Sequence, residues 1–205
     1  MVSPAERMSH VLLFARAPLH GKVKTRLAAE VGRRAALDIY RTMGSQVVRQ
    51  IAPVSSITVW FEPADAADEM RAWLGDLRYR PQPGGDLGAR LAFAFESHFS
   101  QCLTEPAIAI GADAPDVDAS VIVQAREALR TDDVVIGPAD DGGYYLIGLA
   151  RPLPELFEGI SWGGGDVFDA TRAACDALGI VPAILPELRD VDRLDDLKAL
   201  GLWPS

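Results

Sequence analysis

The sequence predicts a three-layer α/β/α domain built on a mostly parallel sheet. Short apolar runs bounded by turn residues alternate along the chain with segments of helical periodicity. Several of these runs are apolar at every position, which is typical of strands buried on both faces. With 205 residues and 49% hydrophobic content, the chain can bury a sizeable core, and we predict a single domain over residues 1–205.

The elements follow from these patterns in chain order. Strands are predicted at 11–14, 56–61, 77–80, 107–110, 134–136, 144–149 and 180–185. Helices are predicted at 64–74, 87–103, 119–129, 166–178 and 194–200, the helix at 166–178 being ended by Gly179. Residues 25–51 are predicted to form one long helix or two, because Gly32 and Gly44 weaken a continuous helix.

Composition excludes several classes of function. The net charge of −9 argues against a general nucleic-acid or anionic-membrane surface, since both need a spread of cations. Met1 to Arg7 is polar, and the apolar run 11–15 is too short for a signal peptide or membrane span. Cys102 and Cys175 are isolated and have no zinc-ligand spacing, so we expect a reduced, cytoplasmic protein.

A cationic loop follows the first predicted strand. It carries Arg16, Lys22, Lys24 and Arg26, with Gly21 allowing a tight turn, and no Asp or Glu occurs between Glu6 and Glu30. In an acidic chain such a loop favours a bound polyphosphate, and the helix that begins near Thr25 would direct free N–H groups at the anion. The loop matches neither the Walker A nor the dinucleotide-binding glycine pattern. A solvated cationic turn is the alternative.

Carboxylates follow two later strands. Asp113 lies three residues after the apolar run 107–110, and Asp190 and Asp192 lie between the last strand and the last helix. Carboxylates at such positions can hold Mg²⁺ or Mn²⁺ against phosphate. They can equally cap the helices that follow, which leaves both interpretations open at this point.

Two glycine-containing segments complete the candidate site. Residues 137–145 supply Asp140, Asp141 and Tyr144 for a polar acceptor pocket, or form only a hairpin turn at Asp141-Gly142. Residues 84–88 contain Gly85 and Asp86, which either approach a base or ribose or simply begin a helix.

Five segments taken together resemble the DUF2064 family: 14–27, 85–88, 110–115, 137–148 and 190–192. This is a glycosyltransferase-A-like family of the nucleotide-diphospho-sugar transferase superfamily, with members associated with radical-SAM and selenodomain clusters. The similarity extends over residues 11–202. It departs at Gly163-Gly164-Gly165, where the family has a Ser/Thr pair, and at Arg193, where it usually has Thr. Both departures concern the identity of the acceptor more than the binding of the nucleotide.

The resemblance implies a Rossmann-like glycosyltransferase-A fold and a division of roles among these residues. Nucleotide and phosphate binding is assigned to Arg16, Gly21, Lys22, Lys24, Arg26, Gly85 and Asp86. Catalysis is assigned to Lys24, Asp113 and Asp141, and a divalent metal (Mg or Mn) to Asp113 with Asp190 or Asp192. The acceptor pocket is assigned to Asp140, Asp141, Gly142, Gly143, Tyr144 and Trp162.

Three functions are compatible with these assignments. The first is metal-dependent transfer of a sugar from a nucleotide-diphospho-sugar to a small acceptor. The second is nucleotidyl transfer from a nucleoside triphosphate to a phosphorylated metabolite with release of pyrophosphate, which the density of cations in the loop favours. The third is a non-catalytic nucleotide-sensing module. In each case the partners are small molecules, and we expect neither nucleic acid nor a membrane span.

Overall fold

The structure is a computed structural model that describes residues 9–199 and residue 203. The polar segment Met1 to Arg7 and the end of the predicted terminal helix, Leu200, lie outside the described residues. Within the described ranges the strands are β1 (Ser9–Arg16), β2 (Ser55–Glu62), β3 (Arg78–Pro81), β4 (Ala107–Gly111), β5 (Val134–Pro138), β6 (Tyr144–Leu149) and β7 (Ala183–Ile184). The α-helices are α1 (Thr25–Val31), α2 (Arg33–Ile51), α3 (Ala67–Leu74), α4 (Leu87–Phe99), α5 (Ala119–Ala128), α6 (Val167–Ala177) and α7 (Leu194–Ala199).

The strands form one sheet in the order β3-β2-β1-β4-β6-β5-β7. β6 is antiparallel to both of its neighbours, β4 and β5, and the other neighbouring pairs are parallel. Parallel neighbours cannot be joined by a tight turn, so helices supply the crossover connections. The predicted α/β fold with a mostly parallel sheet is confirmed.

Helices cover both faces of the sheet and make three layers. Successive residues of β1 face opposite sides: Val11 and Leu13 pack in the core with α2 and α5, whereas Leu12 packs in the core with α4 and α6. A third, smaller core joins α1, α2 and α7, and it includes the fully buried Leu27 and Val191. This third core holds the segment before α7 against the cationic loop.

Several element boundaries differ from the predicted ones. Residues 25–51 form two helices, which is one of the two predicted alternatives, because Gly32 (φ 87°, ψ 151°) leaves helical geometry between α1 and α2. The predicted strand 180–185 is reduced to the two residues of β7, and Val181, which precedes β7, is 83% exposed. The helix predicted at 87–103 ends at Phe99, and the helix predicted at 64–74 begins at Ala67.

The carboxyl ends of the parallel strands meet at one edge of the sheet, here called the carboxyl edge. β1 ends at Arg16 and β2 at Glu62, and these two residues are partners in the ladder. β4 ends at Gly111, two residues before Asp113. Because β6 is antiparallel, its first residue, Tyr144, lies at this same edge. Ligands of such sheets bind beyond the carboxyl edge, which locates the candidate site.

Candidate active site

A cleft of about 670 Å³, here called the main cleft, opens beyond the carboxyl edge. Its lining comes from β1, the cationic loop, the end of β2, the start of α4, the end of β4 and the segment before α7. The predicted site residues that line it are Arg16, Lys24, Arg26, Gly85, Asp86, Asp113, Trp162 and Asp192. Cations from the amino-terminal third of the chain and carboxylates from distant segments therefore share one cleft.

The ammonium group of Lys24 lies among three carboxylates. Its Nζ atom is 2.8 Å from Asp113 Oδ2, 3.0 Å from Asp192 Oδ1 and 3.9 Å from Asp190 Oδ1. The Lys24 side chain is only 5% exposed. Its backbone has φ 44° and ψ 53°, a left-handed conformation that non-glycine residues rarely adopt. Such strain at the entry to α1 is typical of a position held for function.

The charges of this cluster shift the pKa values of its members. Burial would lower the pKa of Lys24, but the charges of Asp113, Asp190 and Asp192 outweigh it and raise that pKa above its ordinary value. Burial, with repulsion from the other carboxylates, raises the pKa of Asp190 to about 6 although Lys24 opposes the change. For Asp192, attraction to Lys24 and Arg26 outweighs burial and lowers the pKa. Lys24 is therefore a fixed cation.

Contacts on both sides hold the segment that carries Asp190 and Asp192. The Asp192 and Arg193 backbone N–H groups donate to Asp196 Oδ2, at 3.0 and 2.7 Å. Asp140 accepts from Arg189 Nε at 3.2 Å and from the Asp190 N–H at 3.4 Å. The capping group before α7 is thus Asp196, which leaves the oxygens of Asp192 to Lys24 Nζ and Arg26 Nη1, each at 3.0 Å.

A second charged cluster in the main cleft joins the predicted Arg16 to Glu62 and Arg90, which were not predicted. Glu62 accepts from Arg16 Nε and from Arg90 Nη1, both at 2.6 Å. Arg90 also donates to Gln82 Oε1 at 3.0 Å, and the Tyr40 hydroxyl bonds to both backbone groups of Arg16. Glu62 directly follows the predicted strand 56–61, and Gln82 lies two residues after the predicted strand 77–80. Attention to the residues just beyond each strand could therefore have found both. Tyr40 and Arg90 lie on helices and carried no such signal.

The turn before α4, which contains Gly85 and Asp86, lines the main cleft. Gly85 has φ 107°, which favours glycine, and the Asp86 side chain accepts the Ala89 N–H at 2.9 Å. Asp86 is therefore the N-cap of α4, the structural role that the sequence left open beside nucleotide binding. Both residues nevertheless line the main cleft.

A smaller cavity of about 230 Å³, here called the side cavity, adjoins the main cleft at Asp113 and Trp162. It contains Asp141, Gly143, Tyr144 and Asp190 as well. The Tyr144 and Trp162 rings meet edge to face with centroids 6.4 Å apart. The Trp162 ring can take this position because residue 88 is glycine: a Cβ there would lie 2.3 Å from Trp162 Nε1.

Four of the predicted site residues line neither the main cleft nor the side cavity. Lys22 is exposed and lines a third cavity of about 390 Å³ beside the main cleft, together with Arg16 and Glu62. Gly21 (φ 73°) shapes the turn before it. Asp140 pairs with Arg189, and Gly142 packs against Gly165, whose oxygen would lie 2.0 Å from an added Cβ. Gly21, Asp140 and Gly142 therefore shape or hold the loops of the site, whereas Lys22 lines the neighbouring cavity.

The carboxylates fit a hard divalent cation by their chemistry. A Cβ at Gly111 would lie 2.7 Å from Asp113 Oδ1, so the Asp113 carboxylate occupies space that a side chain at position 111 would fill. Mg²⁺ and Mn²⁺ bind oxygen ligands and need only one or two protein carboxylates when phosphate and water complete the shell. In the described part of the chain, no group of three His, Cys, Asp or Glu side chains forms a ready-made metal cage.

The family is decided by sequence comparison. The family described as "Uncharacterized protein conserved in bacteria (DUF2064)" matches residues 46–164, which is more than half of the chain. The chain belongs to the DUF2064 family. This confirms the resemblance seen in the sequence. No protein of curated function matches the chain.

Solved structures place this DUF2064 chain among nucleotide-dependent transferase folds. A protein classed as a nucleotide-diphospho-sugar transferase from Desulfovibrio desulfuricans G20 is 35% identical, with a TM-score of 0.88 over 94% of this chain and 85% of that one. The 4-diphosphocytidyl-2C-methyl-D-erythritol synthase of Anaerococcus prevotii DSM 20548 is 11% identical, with a TM-score of 0.61 over 95% and 97%. Rv0371c of Mycobacterium tuberculosis H37Rv, in complex with manganese, is 15% identical, with a TM-score of 0.52 over 94% and 98%. The last two similarities show the fold alone.

Across residues 9–199, no helix combines the length and apolar character that a bilayer crossing needs.

Proposed function

We propose that this protein is a metal-dependent glycosyltransferase that takes a sugar from a nucleotide-diphospho-sugar and gives it to a small acceptor. The observation that carries the proposal is the cluster in the main cleft: Lys24, nearly buried, faces Asp113, Asp190 and Asp192, with Arg26 beside them. A diphosphate needs both fixed cations and a metal-binding carboxylate, and this cluster has both. The 35% identical relative, classed as a nucleotide-diphospho-sugar transferase, supports the donor class.

Asp113 and Asp190 are the carboxylates that we propose for the metal. Both oxygens of Asp192 are used by the cations Lys24 and Arg26. Asp190, in contrast, accepts the Val191 N–H through Oδ1 at 2.8 Å, lies 3.9 Å from Lys24 Nζ and lines the side cavity. When bound, Mg²⁺ or Mn²⁺ would neutralise charge on the departing diphosphate. The manganese complex of the more distant Rv0371c supports this choice of ion.

The chain's own residues would then orient and activate the substrates. Lys24 and Arg26 would bind the diphosphate oxygens, and a fixed donor aimed at developing charge contributes about 3 kcal/mol to lowering the barrier. The acceptor hydroxyl would enter from the side cavity, where Asp141 can take its proton as a general base. The acceptor oxygen forms a bond to the sugar's anomeric carbon, the carbon–oxygen bond to the diphosphate breaks, and the nucleoside diphosphate leaves with that electron pair.

Nucleotidyl transfer is the second candidate, because of one specific observation. The cavity of about 390 Å³ that Lys22 and Arg16 line adjoins the main cleft and offers cations for an additional phosphate. A nucleoside triphosphate would use both spaces, and a nucleotide-sugar would use only the main cleft.

Product analysis distinguishes the two candidates. The full-length protein with Mn²⁺ is incubated with a panel of nucleotide-sugars or nucleoside triphosphates and mixed acceptors, and nucleoside diphosphate and pyrophosphate are measured separately. Release of nucleoside diphosphate from one nucleotide-sugar is the expected result. Pyrophosphate release from a triphosphate would select nucleotidyl transfer instead. Nucleotide binding without either product would favour a nucleotide-sensing module and contradict the proposal.

A further inference from the structure

The side cavity has an unbalanced set of charged residues. Among the described residues, its lining contains the carboxylates Asp113, Asp141 and Asp190 and no lysine, arginine or histidine. The rest of the lining consists of glycine, alanine, aliphatic residues and the aromatic side chains Tyr144, Tyr145 and Trp162. The charged side chains that a molecule meets in the cavity are therefore all carboxylates.

Nearby cations do not change this balance. Lys24 is the cation that contacts Asp113 and Asp190, and Asp192 shares it. Arg189 is paired with Asp140 at 3.2 Å. Asp113, Asp190 and Asp192 surround Lys24, and Asp192 also pairs with Arg26. Together with Asp141 of the side cavity, these four carboxylates and two cations carry a net charge of −2. One divalent ion would cancel this charge, and the donor's diphosphate would restore a negative sign.

We infer that the acceptor of the proposed transfer carries no negative charge and is a neutral, hydroxyl-bearing molecule of sugar or polyol type. This inference rests on the proposed function. A phosphate or carboxylate in the side cavity would lie beside like charges and would find no lysine, arginine or histidine in the lining, which disfavours binding. Hydroxyl groups, in contrast, donate hydrogen bonds to carboxylates.

The shape and surface of the cavity agree with such a molecule. Its 230 Å³ equals the liquid volume of about eight water molecules, which suits a small molecule or one terminal sugar unit. The perpendicular rings of Tyr144 and Trp162 offer an apolar face beside the carboxylates. A neutral polyol matches both parts of this lining: its C–H groups can pack against the rings, and its O–H groups can donate to Asp141 and Asp190.

The test uses fragments in matched pairs that differ only in charge: glycerol and glycerol 3-phosphate, glucose and glucose 6-phosphate, and further neutral, amino and phosphorylated members of the same kind. The full-length protein is saturated with Mg²⁺, which is diamagnetic and so leaves the resonances of the site visible, and with the nucleoside diphosphate that calorimetry shows to bind, so that the main cleft is occupied. The indole N–H resonance of Trp162, identified with Trp162→Phe, reports binding in the side cavity. The indole resonances of Trp60 and Trp73, which do not line it, are internal controls.

We expect neutral members to shift the Trp162 resonance and their phosphorylated partners to bind at least tenfold more weakly. Asp141→Asn keeps an acceptor for the Gly143 N–H, now at 2.9 Å, but removes one charge, so the anionic members should gain about tenfold relative to their neutral partners. Asp176→Asn, on the exposed side of α6, should leave that ratio unchanged. Equal or tighter binding of the phosphorylated members, or no shift with any fragment, would overturn the inference. Failure of every nucleotide to bind with Mn²⁺ would instead refute the proposed function.

Discussion

Replacing Lys24 by methionine should weaken the fold without metal and strengthen metal binding. The variant keeps most of the side-chain volume but leaves the carboxylates at 2.8, 3.0 and 3.9 Å without their shared cation. Removing one partner of a buried ion pair costs about 3–5 kcal/mol, and these carboxylates are 30–39% exposed, so we expect a loss of about 2 kcal/mol. For a domain of this size that corresponds to a melting temperature lower by about 4–8 °C.

Bound metal should offset most of this loss of stability. If Asp113 and Asp190 hold the ion, the Lys24 ammonium repels it in the wild type, and its removal should tighten Mn²⁺ binding without nucleotide by about tenfold or more. Calorimetric titration with Mn²⁺ and thermal melts with and without Mn²⁺ measure both quantities. Lys22→Met, which removes an exposed cation of the same loop, should change neither. Unchanged or weaker Mn²⁺ affinity in Lys24→Met would refute the assignment of these carboxylates to metal.

Two further predictions concern parts of the fold outside the cluster. Burial and nearby positive charges lower the pKa of His10 to about 4, so the stability that depends on its neutral form is present above pH 6.5 and is lost as the pH falls toward 4. Urea unfolding should show that the wild type loses about 1–2 kcal/mol more than His10→Gln between pH 7 and pH 5, and equal losses would contradict this. Gly88→Ala should displace the Trp162 ring and lower stability by about 1–3 kcal/mol, measured by indole fluorescence and thermal melting. Gly84→Ala is its control, since a Cβ at Gly84 has open space around it, and a similar response of both variants would count against the contact.

The sequence predicts the sheet and the edge at which the site lies, because both depend on local patterns. Buried strands appear as apolar runs, and the residues directly after them are the ones that a parallel sheet brings together. The cationic loop after the first strand and Asp113 after the fourth were both assigned to the site, and Arg16 and Asp113 both line the main cleft. The same rule applied to the second strand would have added Glu62, which links Arg16 to Arg90.

The sequence does not distinguish the roles of residues within a loop. Lys22 and Lys24 are two residues apart and chemically identical, yet Lys22 is exposed beside a neighbouring cavity and Lys24 is nearly buried. The difference depends on the left-handed backbone at Lys24 and on carboxylates that lie 89 to 168 residues away along the chain. The roles of Asp190 and Asp192 likewise depend on the contact between Asp196 and the backbone before α7. Such long-range pairing leaves no periodic signal.

Nucleotide binding to Asp113→Ala tests most directly whether the main cleft holds a metal-bound diphosphate. Calorimetry with nucleoside diphosphates, with and without Mn²⁺, should show metal-dependent binding to the wild type and to Asp116→Ala, whose exposed carboxylate lies three residues further along the chain. The Asp113→Ala variant should keep its fold, judged by circular dichroism, and lose the part of the affinity that depends on Mn²⁺. Metal-dependent binding of wild-type strength in Asp113→Ala would contradict the proposed site.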